Sequence, residues 1–185
     1  MITREAFVKK YSEFVNSITS GTGIFPQTLF SQAIIESQGK GADGNYYPGL
    51  SNLSKKYFNF FGIKAGTSWR GPMVNLSTGE YTEKGGFYIK PDWFRVYTSF
   101  EESARDYVKF LKENPRYTKA GVFTAESPEV QAQRLQAAGY ATNPAYSDLL
   151  VKVGTGIKKY ISTPAAGGTL AALVLLLLFF LTNKD

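Results

Sequence analysis

The chain has 185 residues, room for one ordinary domain and an appendage. It contains no Cys and no His. That excludes disulfide frameworks, cysteine nucleophiles, Ser-His-Asp triads, His- or Cys-ligated zinc and iron–sulfur clusters, and leaves acid–base chemistry to Asp, Glu, Tyr or Lys. Lys+Arg of 21 against Asp+Glu of 15 gives a net +6, a balance that suits a polyanionic partner such as nucleic acid, anionic lipid or cell-wall polymer.

In chain order, Phe7, Tyr11, Phe14, Val15 and Ile18 follow i, i+4, i+7, i+8, i+11. With Lys9 and Lys10 among them this predicts an amphipathic helix and not a signal peptide. A second helix is predicted over 26–37, with Pro26 in its first turn. Residues 69–97 are rich in Trp, Val, Tyr, Phe and Thr and carry turn signals at Ser77-Thr78-Gly79 and Gly85-Gly86; they predict a β-hairpin or small sheet. Ser99-x-x-Glu102 is a capping box for a third helix, with Ala104, Tyr107, Val108 and Leu111 as its inner stripe. Ser127-Pro128-Glu129 opens a fourth that stops at Gly139. Tyr146, Leu149, Leu150, Val153 and Ile157 predict a fifth. The expected class is mostly α (α+β), a helical domain with an inserted β-lobe.

The last stretch differs. Ala165 to Leu181 is 17 residues without a charge, and Leu170 to Leu181 is an unbroken apolar run, the low end of what a helix needs to cross roughly 30 Å of hydrocarbon. It has no polar face, so a transmembrane helix is expected in preference to a buried terminal one. Lys158, Lys159 and Tyr160 before it and Lys184 after it read as interfacial anchors. The expected division is a domain over 1–163 and a membrane anchor with a short tail over 164–185, the bilayer contact being residues 165–181.

The chemistry points to Glu36 in SQAIIESQGKG. Leu29, Ala33 and Glu36 fall at i, i+4 and i+7 of the second helix, so an acidic residue lies on an apolar stripe near a helix end. Partial desolvation raises such a carboxyl and keeps it protonated near neutrality, as a general acid acting on a leaving oxygen requires. The alternative is a helix-end Glu that swings into solvent. Lys9-Lys10, Lys55-Lys56 and Lys158-Lys159 read as solvated faces. Asp43-Gly44-Asn45 lacks the spacing of a calcium loop, and no phosphate-binding, zinc or nucleic-acid motif is present.

From about Phe25 to Ile157 the chain resembles the glucosaminidase domain of glycoside hydrolase family 73, within the lysozyme-like superfamily. The resemblance is carried by SQAIIESQGKG (31–41), NFFGIK (59–64), Trp69-x-Gly71-x-x-Val74 leading to Thr78-x-Glu80-Tyr81, FRVYTSFEESARDYVKFL (94–111), NPRY (114–117) and GYATNPAY (139–146). Each piece is weak alone; their order and spacing are specific. The resemblance implies a lysozyme-like fold with Glu36 as general acid and Glu80, on the hairpin, as second carboxylate. Glu83 takes that place if the hairpin register slips. It implies that Asn59, Phe60, Phe61 and Gly62 line the cleft, aromatic faces meeting sugar rings and Asn59 an acetamido group. One of the two phenylalanines is expected to be core. Tyr117 and Tyr140 match family tyrosines near the acid with a positioning role, packing being the alternative for both. Relatives usually carry Asp where this chain has Asn143, which leaves a charge role there without support.

The implied activity is hydrolysis of peptidoglycan glycan strands at the β-1,4 bond between N-acetylglucosamine and N-acetylmuramic acid, with no cofactor. A lytic transglycosylase or a muramidase of the same fold is the nearest alternative; an essential Glu80 argues for hydrolysis, because lytic transglycosylases work with a single acid. A wall-binding or assembly protein with a degenerate site is the alternative from another class. A nucleic-acid partner has only the charge in its favour. By the positive-inside rule, Lys152, Lys158 and Lys159 against Lys184 put the domain on the cytoplasmic side, away from such a substrate. A weak bias, a dedicated secretion apparatus, or a phage protein held at a membrane and delivered to the wall each resolves the conflict, and the last is favoured.

Overall fold

In the computed structural model the backbone is described for residues 1–81 and 87–162, and side chains for these except 78–81, 87 and 88. Helix α1 (Arg4–Thr19) begins where the Thr3 hydroxyl accepts from the Ala6 N–H, 3.1 Å, and buries Phe7, Val8 and Val15. Helix α2 (Pro26–Ser37) follows, with nine of its 12 residues buried. Its amphipathic stripe is therefore real only in the last turn, where Ile35 and Glu36 are part-exposed; from Gln27 to Ile34 the helix is buried on all sides. Gln131, itself fully buried, accepts from the Phe25 N–H and donates to the Gly23 and Val122 carbonyls, fixing the entry to α2.

Two-residue strands β1 (Gly39–Lys40) and β2 (Tyr46–Tyr47) pair around the Asp43 turn, whose carboxylate accepts from Asn45 and Tyr47. Helix α3 (Asn52–Tyr57), which periodicity does not predict, is capped by Ser51. Strands β3 (Met73–Tyr81) and β4 (Phe87–Arg95) form one antiparallel ladder. Ser77-Thr78-Gly79 is thus not a turn: it continues β3 opposite Pro91, Lys90 and Ile89, since cross-strand pairing overrides local turn preference. The Gly85-Gly86 signal lies outside the described residues.

The hairpin is fastened at its root. Ala65 N–H donates to the Trp93 carbonyl and Arg95 N–H to that of Ile63. The Arg95 guanidinium donates to Asp106 at 2.7 Å and stacks 4.4 Å from the Trp69 ring centroid, while the Tyr97 hydroxyl donates to the same carboxylate oxygen.

Helix α4 (Phe100–Glu113) is capped by Ser99, which accepts from the Glu102 N–H. The Glu102 carboxylate accepts from Thr98, one residue before the cap, a variant of the expected reciprocal box. Short α5 (Pro115–Lys119), missed in the sequence, leads through a 3₁₀ turn at Val122–Thr124 to α6 (Pro128–Ala137) and α7 (Tyr146–Ile157). Helix α7 lies close on α2: a Cβ on Gly154 would sit 2.8 Å from Gln27 Nε2 and 3.0 Å from Ser31 Oγ. The described chain ends against α1, where Asn16 Nδ2 donates to the Ser162 carbonyl.

The core is strongly aromatic. Phe7 stacks on Phe60 at 5.9 Å, Phe100 meets both rings edge-on, and Phe61 stacks on Tyr107 at 4.3 Å. Among the described residues no helix is long and apolar enough to cross a membrane. The 165–181 run lies outside them.

Candidate active site

Glu36 stands in the last turn of α2, where the enclosed helix reaches a cleft of about 960 Å³. Its Oε1 accepts a 2.8 Å hydrogen bond from the Tyr146 hydroxyl at the start of α7. Oε2 has no hydrogen-bond partner among the described residues and faces Gly62 of the cleft wall; a Cβ added there would lie 3.5 Å from it. Gly62 adopts φ +64°, a backbone open to glycine at little cost.

Burial pushes the Glu36 carboxyl up to about 7, and the Tyr146 hydrogen bond, which favours the charged form, only partly opposes it. Its place at a helix C-terminus acts in the same direction as burial. Tyr107, Tyr140 and Tyr146 surround it, all held well above the ordinary tyrosine range by burial first, and then by Glu36 for Tyr140 and Tyr146 and by Tyr117 ahead of Glu36 for Tyr107. The acid thus faces neutral phenols on the protein side and the cleft on the other.

The other expected residues divide. Phe61, Gly62, Tyr117 and Tyr140 line the cleft with Glu36. Tyr140 donates to the Phe61 carbonyl at 2.8 Å and stacks on Tyr146 at 5.9 Å, so it braces the wall. The Tyr117 hydroxyl accepts from Arg116 at 2.6 Å, and Arg116 borders the same cleft.

Asn59 and Phe60 do not line it, which corrects the sequence expectation. Asn59 is fully buried: Nδ2 donates to the Ile63 and Arg95 carbonyls, and Oδ1 accepts from the Ile63 and Phe61 N–H groups. A loop that turns inside the protein must satisfy its own backbone, and this amide does so. Phe60 packs between Phe7 and Phe100, and Phe61, stacked on Tyr107, is buried as well, so both phenylalanines belong to the core and only Phe61 also borders the cleft.

Glu80 lies in β3 opposite Tyr88, on a strand whose Leu76 and Ser77 border the cleft; its side chain, and all of Glu83, lie outside the described residues. Asn143 accepts from the Ala145 N–H in the turn before α7, a task that Asn and Asp perform alike. Among the described residues no group of three or more carboxylates gathers as a metal site.

Sequence reasoning placed Tyr146 and Tyr107 in helix interiors and passed over Gln32. Gln32 Nε2 donates to the Tyr146 oxygen at 3.0 Å, and the Tyr107 hydroxyl donates to Gln32 Oε1. The signal was present: a Gln one helical turn before the acid shares its face.

A mostly helical body with a hairpin lobe, and a cleft holding a carboxyl raised to about 7, have the arrangement of the lysozyme-like glycosidase fold. The sequence matches the glucosaminidase family, described as mannosyl-glycoprotein endo-beta-N-acetylglucosaminidase, over residues 12–159, and the chain belongs to that family. It is 46% identical over 149 residues to the peptidoglycan hydrolase FlgJ of Escherichia coli strain K12, covering 80% of this chain and 45% of that protein. It is 33% identical over 156 residues to a probable N-acetylmuramidase of Lactococcus lactis, covering 80% and 32%. The chain therefore spans less than half the length of these curated relatives. Among solved structures, a peptidoglycan hydrolase mutant from Sphingomonas sp. A1 superposes with a TM-score of 0.67 at 30% identity, over 85% of this chain and 97% of that one. The catalytic domain of the autolysin Auto from Listeria monocytogenes gives 0.65 at 25% identity, over 85% and 86%.

Proposed function

We propose that this protein hydrolyses peptidoglycan at the β-1,4 bond on the reducing side of N-acetylglucosamine. The observation that carries the reading is Glu36: a carboxyl with one oxygen tied to Tyr146 and the other turned to the cleft, raised to about 7 by burial. It donates a proton to the glycosidic oxygen. Glu80, on the strand that borders the cleft, activates water or stabilises the oxocarbenium-like transition state. The relatives named for peptidoglycan hydrolysis support the substrate. No cofactor takes part.

Cleavage of the alternate β-1,4 bond, on the reducing side of N-acetylmuramic acid, is the second reading, favoured by the probable N-acetylmuramidase among the relatives. The apolar run 165–181 is proposed as a membrane anchor, on its length and lack of charge alone. With it goes the reading of a phage-encoded lytic enzyme held at a membrane and delivered to the wall.

The full chain in mild detergent, with Glu36→Gln and Glu80→Gln variants, is incubated with purified peptidoglycan and the new ends are identified by mass spectrometry. Reducing N-acetylglucosamine, lost in both variants, is the expected result. Reducing N-acetylmuramic acid would move the assignment to a muramidase, and anhydromuramic ends to a transglycosylase. Binding without cleavage by the unaltered protein would make it a wall-binding module.

A further inference from the structure

The hydrogen-bond chain behind Glu36 has a direction. The Tyr107 hydroxyl donates to Gln32 Oε1, Gln32 Nε2 donates to the Tyr146 oxygen, and the Tyr146 hydroxyl donates to Glu36 Oε1. Gln32 and Tyr107 are fully buried and Tyr146 is 3% exposed, so bulk water does not compete for these groups.

The chemistry of the groups enforces the direction. A phenol has one proton to give, and an amide has one accepting end and one donating end. With its oxygen taken by Tyr107, Gln32 presents NH₂ to Tyr146, and Tyr146 sends its proton forward to Glu36. The reverse chain would leave the Tyr107 proton without an acceptor among the described residues, and a buried unsatisfied donor is costly.

From this we infer that Gln32 and Tyr107 are positioning residues that hold Glu36 Oε1 as an acceptor and so place the acid's proton on Oε2, the oxygen beside Gly62 that faces the cleft. A glutamic acid without this device shares its proton between two oxygens, one of which points into the protein. Donation through a chain also polarises the last hydroxyl and strengthens its bond to Oε1.

The groups around Glu36 leave it alone to titrate. Tyr146 on α7, Tyr140 in the preceding loop, Tyr107 on α4 and Tyr117 on α5 are all raised by burial and stay neutral. The cations Arg116 and Lys64 stand on the cleft wall. Neither Gln32 nor Tyr107 borders the cleft, so neither touches a bound glycan.

The inference rests on Glu36 being the acid, and the test separates the two. The full chain carries ¹³C-labelled glutamate, with the Glu36 carboxyl assigned by its loss in Glu36→Gln. Its titration is followed by NMR, beside pH profiles of kcat and KM on soluble glycan fragments, in Gln32→Met, Tyr107→Phe and the double variant. Tyr107→Phe removes one oxygen and keeps the ring stacked on Phe61, so it preserves the packing of the core.

In both single variants the Glu36 midpoint and the high-pH limb of kcat move upward. The plateau of kcat falls about tenfold, part of what general acid catalysis contributes, and KM is unchanged. The double variant matches Gln32→Met alone, because Tyr107 acts only through Gln32. A midpoint that stays in place in both single variants, or effects that add in the double, would overturn the inference. If the midpoint moves while the unaltered protein cleaves no glycan, the positioning chain stands and the hydrolase reading falls.

Discussion

Tyr146 and Glu36 are 110 positions apart in sequence and joined by a 2.8 Å hydrogen bond at the base of the cleft. The bond favours the carboxylate, so its loss leaves burial unopposed. Tyr146→Phe is expected to raise the Glu36 midpoint above about 7 and to carry the high-pH limb of activity upward with it. The ring stack on Tyr140 survives the change, so KM should move little, while the thermal midpoint falls because buried Gln32 Nε2 loses its acceptor. A pH–rate profile checks this; a limb that moves down would contradict it.

The same carboxyl costs the fold stability in a pH-dependent way. Its value lies near 4.5 when unfolded and about 7 when folded, so between these limits the native state binds more protons than the unfolded one. Stability therefore falls as pH rises through that window and stays lower above it. Glu36→Gln removes the dependence while keeping an oxygen for Tyr146. The variant should gain on the order of 2–3 kcal/mol over the parent at pH 8 and almost nothing at pH 4. Urea midpoints at the two pH values test the difference.

Asn59→Asp should be a folding variant and not a binding one. It replaces the donor that serves the Ile63 and Arg95 carbonyls and buries a charge where the site is closed to solvent. A loss of about 3 kcal/mol is expected, in the range for a broken buried network. Affinity for glycan, measured at a temperature where the variant is still folded, should match the parent.

Gly62→Ala puts a methyl group 3.5 Å from Glu36 Oε2 at φ +64°. The left-handed backbone costs about 1 kcal/mol in stability. The larger effect falls on turnover, because the methyl occupies the space beside the oxygen that gives up the proton. Comparing kcat with the unfolding midpoint separates the two; a drop in stability with unchanged kcat would refute the placement.

Local features were legible in the sequence. The bounds of α2, and the caps at Ser99 and Ser127, are set by residues within a turn of them, and pattern alone found them. Glu36 was found from helix phase, although the stripe it was assigned to holds only in the last turn of α2. What escaped depends on distant partners. Ser77-Thr78-Gly79 has the composition of a turn, but its strand pairing is decided by residues 89–91. Asn59 sits beside residues that do face the cleft, yet its amide is consumed by the backbone around it. Tyr146 and Tyr107 read as core because they are core; only their hydroxyls, meeting Gln32 and Glu36 from two other helices, belong to the site.

The enclosure of α2 has an evolutionary and an engineering consequence. The carboxyl is carried by a helix that touches neighbours on nearly every side, so change there is constrained by packing before it reaches chemistry. The hairpin β3–β4 is rooted through Arg95 and Asp106, and residues 141–143 border the cleft from a loop, so these walls can be exchanged with less disturbance to the core than Tyr140, which braces Phe61 and Tyr146. New glycan preferences are therefore best sought by grafting hairpins and the 141–143 loop onto an unaltered α2 and Tyr140, with the proton donor held as the fixed point of the scaffold.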